Sequence, residues 1–346
     1  MGTGARISKK KDAADTPIQT AEGLKQYYFR LIYETVNAPG SAIEVKVLTQ
    51  LCGVSRSGYY NWVKHTRVNH DIREEKDRKD FNLILDVYKY KGYDKGYRVI
   101  HMMLLNRGVL MNPKKILRLM QKYNLQAKIR RPKPQSIHLK ATHNAKVMPN
   151  HVRREFRAYG PRKILLTDIS YLPYAQKQTA YLSTIKDAYT NEILAYTVSE
   201  SLALDFVVDC VNQLESDHGI KHSTETVIHS DQGSHYTSIK FRELANTDRY
   251  IQSMSRRGNC WDNAPQESFF GHMKDHLNLS ELNTFEQVKT AIAGIIHYYN
   301  NDRPQWKLAK LTPVQFYQYF TTGVYPHEHL VTPPTLPEIR KLELKI

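Results

Sequence analysis

Three acidic residues, Asp168, Asp231 and Glu267, stand where an ordinary solvent-facing carboxylate has little reason to be. Asp168 lies in the run KILLTDISYLPY, beside Leu165, Leu166 and Ile169. A charge in an apolar strand is costly unless something compensates it. Asp231 ends the run ETVIHS and opens HSDQGSHYTS, and Glu267 sits in NAPQESFFGHMK. Carboxylate oxygens are hard donors that suit Mg2+, with Mn2+ as a substitute. Two such ions, about 3.5–4 Å apart, activate an attacking oxygen and stabilise the leaving oxygen of a phosphodiester. Chemistry of this kind forms no covalent enzyme intermediate and needs no nucleophilic Ser or Tyr. Asp168, Asp231 and Glu267 are therefore expected to be both catalytic and metal-binding. Singly, each has a blander reading: strand-end turn, Asx turn, solvated helix residue. The expectation rests on the three together, with Asp187 and Asp262 as alternative carboxylates.

The elements that must position them begin at Ile164. KILLTDISYLPY, TAYLSTIKDAY and NEILAYTVSE are three strand-like runs separated by short turns. A helix from Leu204 to Ser216 follows, then the strand ETVIHS, a helix from Ser238 to Asn246, and the short strand YIQSMS. A long helix starts near Asp262 and Asn263 and runs past Lys274. This order predicts an α/β domain over 162–302 with a mixed five-stranded sheet, the ribonuclease H-like arrangement. Beside the carboxylates, His235, Tyr236, Ser255, Arg256, Arg257 and Asn263 cluster in the same motifs. Arg256 and Arg257 are expected to bind phosphate, and Asn263 to cap the helix. Gly233 and Gly258 allow tight turns or close backbone approach. Trp261 and Trp306 are expected to pack rather than stack on bases. Residues 303–346 read as a tail.

Charge divides the chain. Residues 1–163 hold 34 Lys and Arg against 13 Asp and Glu, whereas the remainder holds 16 against 21. Residues 101–150 contain no acid at all. Such a polycation suits a polyphosphate partner, because each neutralised phosphate releases condensed counterions. Hydrophobic residues make up 41% of the chain, enough for a sizeable core. No apolar run approaches the roughly 18–20 residues of a membrane span, and no apolar stretch follows the basic N-terminus. The three cysteines, Cys52, Cys210 and Cys260, are far apart and form no zinc pattern. A cytoplasmic, nucleoid-associated protein is expected.

The basic half reads as two helical modules. After a basic arm and helix (1–40), AIEVKVLTQLCGVSRSGYYNWVKH gives helix, tight turn and a second helix capped by Ser55. This is a helix-turn-helix over 41–66, whose second helix would present Arg56, Ser57, Tyr60 and Lys64 to DNA. A second module over 67–127 breaks at Arg107-Gly108 and restarts at Asn112-Pro113. There Ile116, Leu117, Leu119 and Met120 should face a core filled by Met102, Met103 and Met111, with Lys114, Lys115, Arg118 and Lys122 outside. Residues 128–161 read as a basic linker tracking phosphates, with Arg130, Arg131 and Lys133 as contacts. His138 and His143 fit no ligand pattern.

The segments TDISYL, HSDQGSHYTS, SMSRRGNCWDNAPQESFFGHMK and YNNDRPQWKLAKLTPVQF resemble the catalytic half of bacterial insertion-sequence transposases. The closer likeness is to the second-frame (OrfB-type) product of the copy-out–paste-in family with two overlapping frames. That family belongs to the DDE, retroviral-integrase-like superfamily. Asp231 and Glu267 are separated by 35 residues, the superfamily's spacing, and Lys274 matches its basic residue seven positions on. Seven residues are about two helical turns, so Glu267 and Lys274 share a face. LCGVSRSGYYNW and GYRVIH fit the family's N-terminal region, so the likeness spans about 45–320. It implies metal-dependent strand cleavage at element ends and strand transfer by 3′-OH attack, on terminal repeats and target in double-stranded DNA. It also implies two ions per site, a dimer or larger homo-oligomer, and a separate or fused first-frame protein. The chain departs in two places: no tryptophan precedes the first aspartate in PRKILLTDIS, and no long heptad run exists. The alternative is a DNA-binding regulator with an inactive integrase-like domain.

Overall fold

The structure, a computed structural model, describes residues 21–127, 148–175, 178–220, 226–246, 250–256 and 259–342. Arg130, Arg131, Lys133, His138, His143, Arg257 and Gly258 lie outside the described residues. The chain divides into two compact units, 1–82 and 83–346.

In the first unit, α1 (Ala21–Val36) packs against α2 (Val45–Leu51) and α3 (Arg56–Asn61). Phe29, Ile32 and Tyr59 form its core, with Trp62, Leu48 and Val54 around them. The turn between α2 and α3 uses Gly53 at φ +63°, a conformation that costs glycine little. Ser55 caps α3 by accepting from the Gly58 N–H at 3.1 Å. Arg56, Ser57, Tyr60 and Lys64 are exposed. A π turn then leads into α4 (Val68–Lys89).

The second unit opens with α5 (Tyr97–Asn106) and α6 (Pro113–Lys122). Asn112 caps α6 through the Lys114 N–H at 2.8 Å, with Pro113 at the first helical position. Met102, Met103, Met111 and Met120 are buried with Ile116 and Leu119. Leu117, expected in that core, is exposed instead, because it falls on the same outward arc as Lys114 and Arg118. Among the described residues, no helix is long and apolar enough to cross a membrane.

A five-stranded sheet follows, formed by β1 (Ile164–Tyr174), β2 (Gln178–Asp187), β3 (Ile193–Ser199), β4 (Val227–Ser230) and β5 (Ile251–Met254). Its order is β3-β2-β1-β4-β5. The first three strands pair antiparallel, while β4 and β5 run parallel to β1. This is the mixed ribonuclease H-like sheet expected from the order of elements. Both faces are covered, as a parallel pair in an α/β sheet requires. On one face α7 (Asp205–His218) sets Phe206, Val207, Cys210 and Leu214 against Leu165 and Ile185, beside the short α8 (Ser234–Thr237) and α9 (Ile239–Asn246). On the other, α10 (Ala264–His276) and α11 (Phe285–His297) bring Phe269, Met273, Ile292 and Ile296 to Leu172, Ala180 and Leu182.

Two stretches expected as linker and tail pack on this domain. Val152 is buried among Ile164, Leu166 and Val227, and the His151 N–H donates to Ser253 Oγ at 2.9 Å. After residue 302, α12 (Pro313–Thr322) buries Phe316 and Tyr319 with Leu308, Leu311, Tyr325 and the sheet-end residue Tyr189. Basic composition hid the first contact. Arg157, for instance, lays its guanidinium 5.3 Å from the Tyr189 ring and 5.4 Å from that of Phe316. A long cationic side chain can bury its stem and stack its head in this way.

Candidate active site

Strand register brings the two aspartates together. β1 and β4 pair in parallel with Leu166 opposite His229, so two residues further on Asp168 lies beside Asp231. Adjacent strands lie about 4.8 Å apart. Asp168 is half-buried within β1, and Asp231, directly after β4, is exposed. Each gives one oxygen to a backbone N–H: Ile169 donates to Asp168 Oδ1 and Gly233 to Asp231 Oδ1, both at 2.8 Å. Gly233 explains its own residue type. A Cβ there would stand 2.8 Å from Asp231 Oδ1, so the close approach expected of this glycine is to the carboxylate itself.

Glu267 comes from the first turn of α10, where the helix dipole favours an anion. The start of α10 is held against the sheet by several hydrogen bonds. Gln266 Nε2 donates to Thr184 Oγ1, and Thr184 is the residue opposite Asp168 in β2. Lys186 Nζ donates to the Pro265 carbonyl at 2.7 Å. Asn263 Nδ2 reaches the Thr167 carbonyl at 3.4 Å. Asn263 precedes the helix but makes no side-chain cap, contrary to expectation, because its amide is directed to β1.

Asp231 and Glu267 both lie within electrostatic reach of Asp168. Burial, then the charge of Asp231, and then that of Glu267 push its carboxyl up to about 7, against the Ile169 N–H and Lys274. Like charges brought together disfavour ionisation of the most buried one. Lys274, two turns after Glu267, is thus within electrostatic reach of Asp168. Tyr236 is buried beside them, its hydroxyl 3.2 Å from Thr167 Oγ1. Burial, and then Asp168, push this phenol well above its usual value. Among the described residues, no three His, Cys, Asp or Glu side chains are gathered closely enough to form a metal cage.

The alternative acids have other work. Asp187 accepts from the Arg162 N–H and guanidinium and from the Tyr189 N–H. Asp262 has a fully buried side chain that takes five hydrogen bonds: three from Arg256, one from Arg154 and one from Asn150. Arg256 and its neighbours hold the Asp262 carboxyl well below the usual carboxylate range. Arg256, expected on phosphate, is therefore largely committed to Asp262, although its side chain stays 59% exposed. His235 bonds the Leu202 carbonyl, and Ser255 bonds the buried His229, so neither joins the acids. Trp261 and Trp306, expected to pack, are 68% and 52% exposed. Sequence reasoning missed Arg154, Thr184, Lys186 and Gln266 as supports. A lysine inside the apolar run YLSTIKDAY was the one available signal.

A sheet of this order, with one acid within its central strand, one directly after the neighbouring strand and one on the covering helix, has the arrangement of the integrase-type class of DNA-processing cores. Family models agree with this. Residues 158–260 and 249–313 match the integrase core domain, and residues 74–133 match an HTH-like domain. A transposase-like protein of Haemophilus influenzae is 34% identical over 61% of this chain and 95% of its own length. The putative transposase InsK of insertion element IS150 from Escherichia coli is 30% identical over 78% and 92%. A 31 kDa protein of insertion element IS600 from Shigella sonnei is 29% identical over 78% and 97%. Among solved structures, the HTLV-2 integrase catalytic core in complex with magnesium overlaps 46% of this chain and 99% of its own, at 17% identity and a TM-score of 0.37. The chain belongs to the insertion-sequence transposases and is a DNA transposase.

Proposed function

We propose that Asp168, Asp231 and Glu267 are the catalytic residues of this transposase and hold Mg2+, or Mn2+ in its place, as two ions per site. The observation that carries the reading is placement: Asp168 pairs with Thr184, to which Gln266, the residue before Glu267, is bonded, and Asp231 directly follows the strand that pairs with β1. An all-oxygen donor set under mutual repulsion fits a hard divalent cation, which relieves that repulsion. When bound, such ions activate the attacking oxygen and stabilise the leaving one. The chain's own residues do the rest. Asp168 is fixed by its pairing with Thr184 in β2, and Asp231, directly after β4, is held by the Gly233 N–H. Glu267 closes the site from α10, and Lys274 offers an ammonium to the DNA backbone from the same helix face. The reaction is hydrolysis of a strand at the element end, followed by in-line attack of the freed 3′-OH on a second phosphodiester.

The substrate is double-stranded DNA carrying the terminal repeats, and then the target. Pairing two ends requires a dimer or larger homo-oligomer, with a first-frame protein as a further partner. Arg56, Ser57, Tyr60 and Lys64 on α3 and the following turn, and Lys114, Lys115 and Arg118 on α6, are proposed to face DNA. Arg130, Arg131, Lys133 and Arg257 add phosphate contacts. The DNA-binding modules are assigned to 41–66 and 67–127, and the catalytic domain to 162–302. The test is Asp231→Asn. Binding to end DNA should persist, while Mg2+- or Mn2+-dependent nicking and strand transfer are lost. Strand transfer by that variant at the wild-type rate would overturn the assignment.

A further inference from the structure

Trp261 is among the more exposed large hydrophobic side chains of the described residues, yet the residues next to it are firmly held. The residues after it, Asp262 and Asn263, are buried. Asp262 is locked by its five hydrogen bonds, and Asn263 is tied to the Thr167 carbonyl. Asn259, two residues earlier, accepts from Arg154 at 2.9 Å, and its carbonyl takes the Asp262 N–H at 3.2 Å. The preceding strand end is fixed too: the Ser255 N–H donates to the Ser230 carbonyl, and Gln232 donates to that of Ser255. Apolar surface that large is normally buried. Here every neighbouring anchor turns inward and the indole turns out.

We propose that Trp261 is a stacking platform for an unpaired nucleobase of the DNA being processed. Three observations converge on that ligand. The anchors of the turn end on Thr167 and Ser230, the residues immediately before Asp168 and Asp231. A strand whose phosphate reaches the acids therefore runs past this turn. The guanidiniums of Arg154 and Arg256, which both hold the next residue, Asp262, are themselves 44% and 59% exposed, two cations against one carboxylate. The surround therefore suits phosphate rather than an apolar protein face. The backbone that carries the indole is also held in advance, through Asn259, Asp262 and Asn263, so stacking orders little of the chain on binding. An aromatic face takes any base, because every base has a π-face. In an intact duplex those faces are already occupied, which limits the ligand to a frayed, flipped or terminal base. The location beside the acids rests on the reading of Asp168, Asp231 and Glu267 as the reacting site, whereas stacking itself does not.

The experiment uses the full chain without divalent metal. The probe is a forked DNA duplex with 2-aminopurine placed in turn at each position around the junction. Wild-type protein should quench the probe at one or two unpaired positions. Trp261→Ala should lose that quenching and bind the fork about tenfold more weakly, as expected for one lost base stack. Its affinity for blunt duplex and its melting temperature should stay unchanged. Trp261→Phe should retain most of the quenching. Unchanged quenching and affinity in Trp261→Ala would overturn the proposal. So would a loss confined to self-association, which would make the indole a protein contact. Asp231→Asn should keep the quenching, so failure of the metal-site reading is seen separately from failure of this one.

Discussion

Replacing Gly233 by alanine tests how closely the backbone supports the Asp231 carboxylate. The glycine has an ordinary φ of −61°, so its freedom from a side chain is needed for space rather than for backbone conformation. The new Cβ would stand 2.8 Å from Asp231 Oδ1, and ordinary contact begins at 3.4 Å. The carboxylate must therefore retreat by some 0.6 Å, and its bond to the Gly233 N–H bends or breaks. That bond is worth about 1 kcal/mol. Alanine returns about 0.4–1 kcal/mol by restricting the unfolded chain. The two effects nearly cancel, so the melting temperature should move by no more than a few degrees. Catalysis has no such compensation. A displacement of about 1 Å in a reacting group can cost about 10²-fold in rate, and Gly233→Ala should lose activity on that scale. The assay pairs thermal denaturation with Mn2+-dependent nicking of an end oligonucleotide. A variant that melts like wild type and nicks as fast would refute the reasoning, because the carboxylate would then not need its observed position. An unfolded variant would refute the stability half.

Asp262→Asn should cost about 3 kcal/mol, near the low end for breaking a buried ion pair, since both arginines keep contact with water. The folded carboxyl is held below its ordinary value, so its contribution is present above about pH 3.9 and is lost as pH falls through the lower folded value. Wild-type and variant melting temperatures should therefore differ at neutral pH and converge in strong acid. Nicking should fall as well, because Asp262 anchors the turn that leads into α10. His101 gives a second pH effect. Its Nδ1 donates to the Met111 carbonyl at 2.8 Å, and burial pulls the ring below its usual value. A group kept neutral in the fold stabilises fully above about pH 6.5 and loses that contribution as pH falls further. The melting temperature of wild type should drop between about pH 7 and pH 5 more steeply than that of His101→Asn.

What the sequence disclosed was local or ordered along the chain. Alternating apolar residues marked the strands, Ser55 and Asn112 marked helix starts, and the order of elements implied the sheet. Asp168 was conspicuous as an acid in an apolar run, whereas Asp231 and Glu267 entered the expectation through their order along the chain and their 35-residue separation. The supports around them were not legible. Arg154 and Asp262 lie 108 residues apart and Gln266 and Thr184 lie 82 apart, and no local pattern announces such partners. Composition also misled in two places. Arg153, Arg154 and Arg157 made residues 148–161 look like a solvated linker, although Val152 is buried in the sheet's packing. Trp261 looked like a packing residue because tryptophan usually is one, and only the fold showed its neighbours taking the interior.

The anchoring of Asp262 also sets where this protein can be cut or exchanged as a block. Two of its three partners, Asn150 and Arg154, come from before the first strand. At the other end, Tyr189 is covered by Leu308, Phe316 and Tyr325 from after the last long helix. A fragment trimmed to 162–302 would leave a buried carboxylate short of its cations and a sheet edge stripped of its apolar cover. The portable unit for a chimera, or for natural shuffling between mobile elements, therefore begins before Tyr93, which packs on His276 and Tyr298, and extends beyond Tyr325.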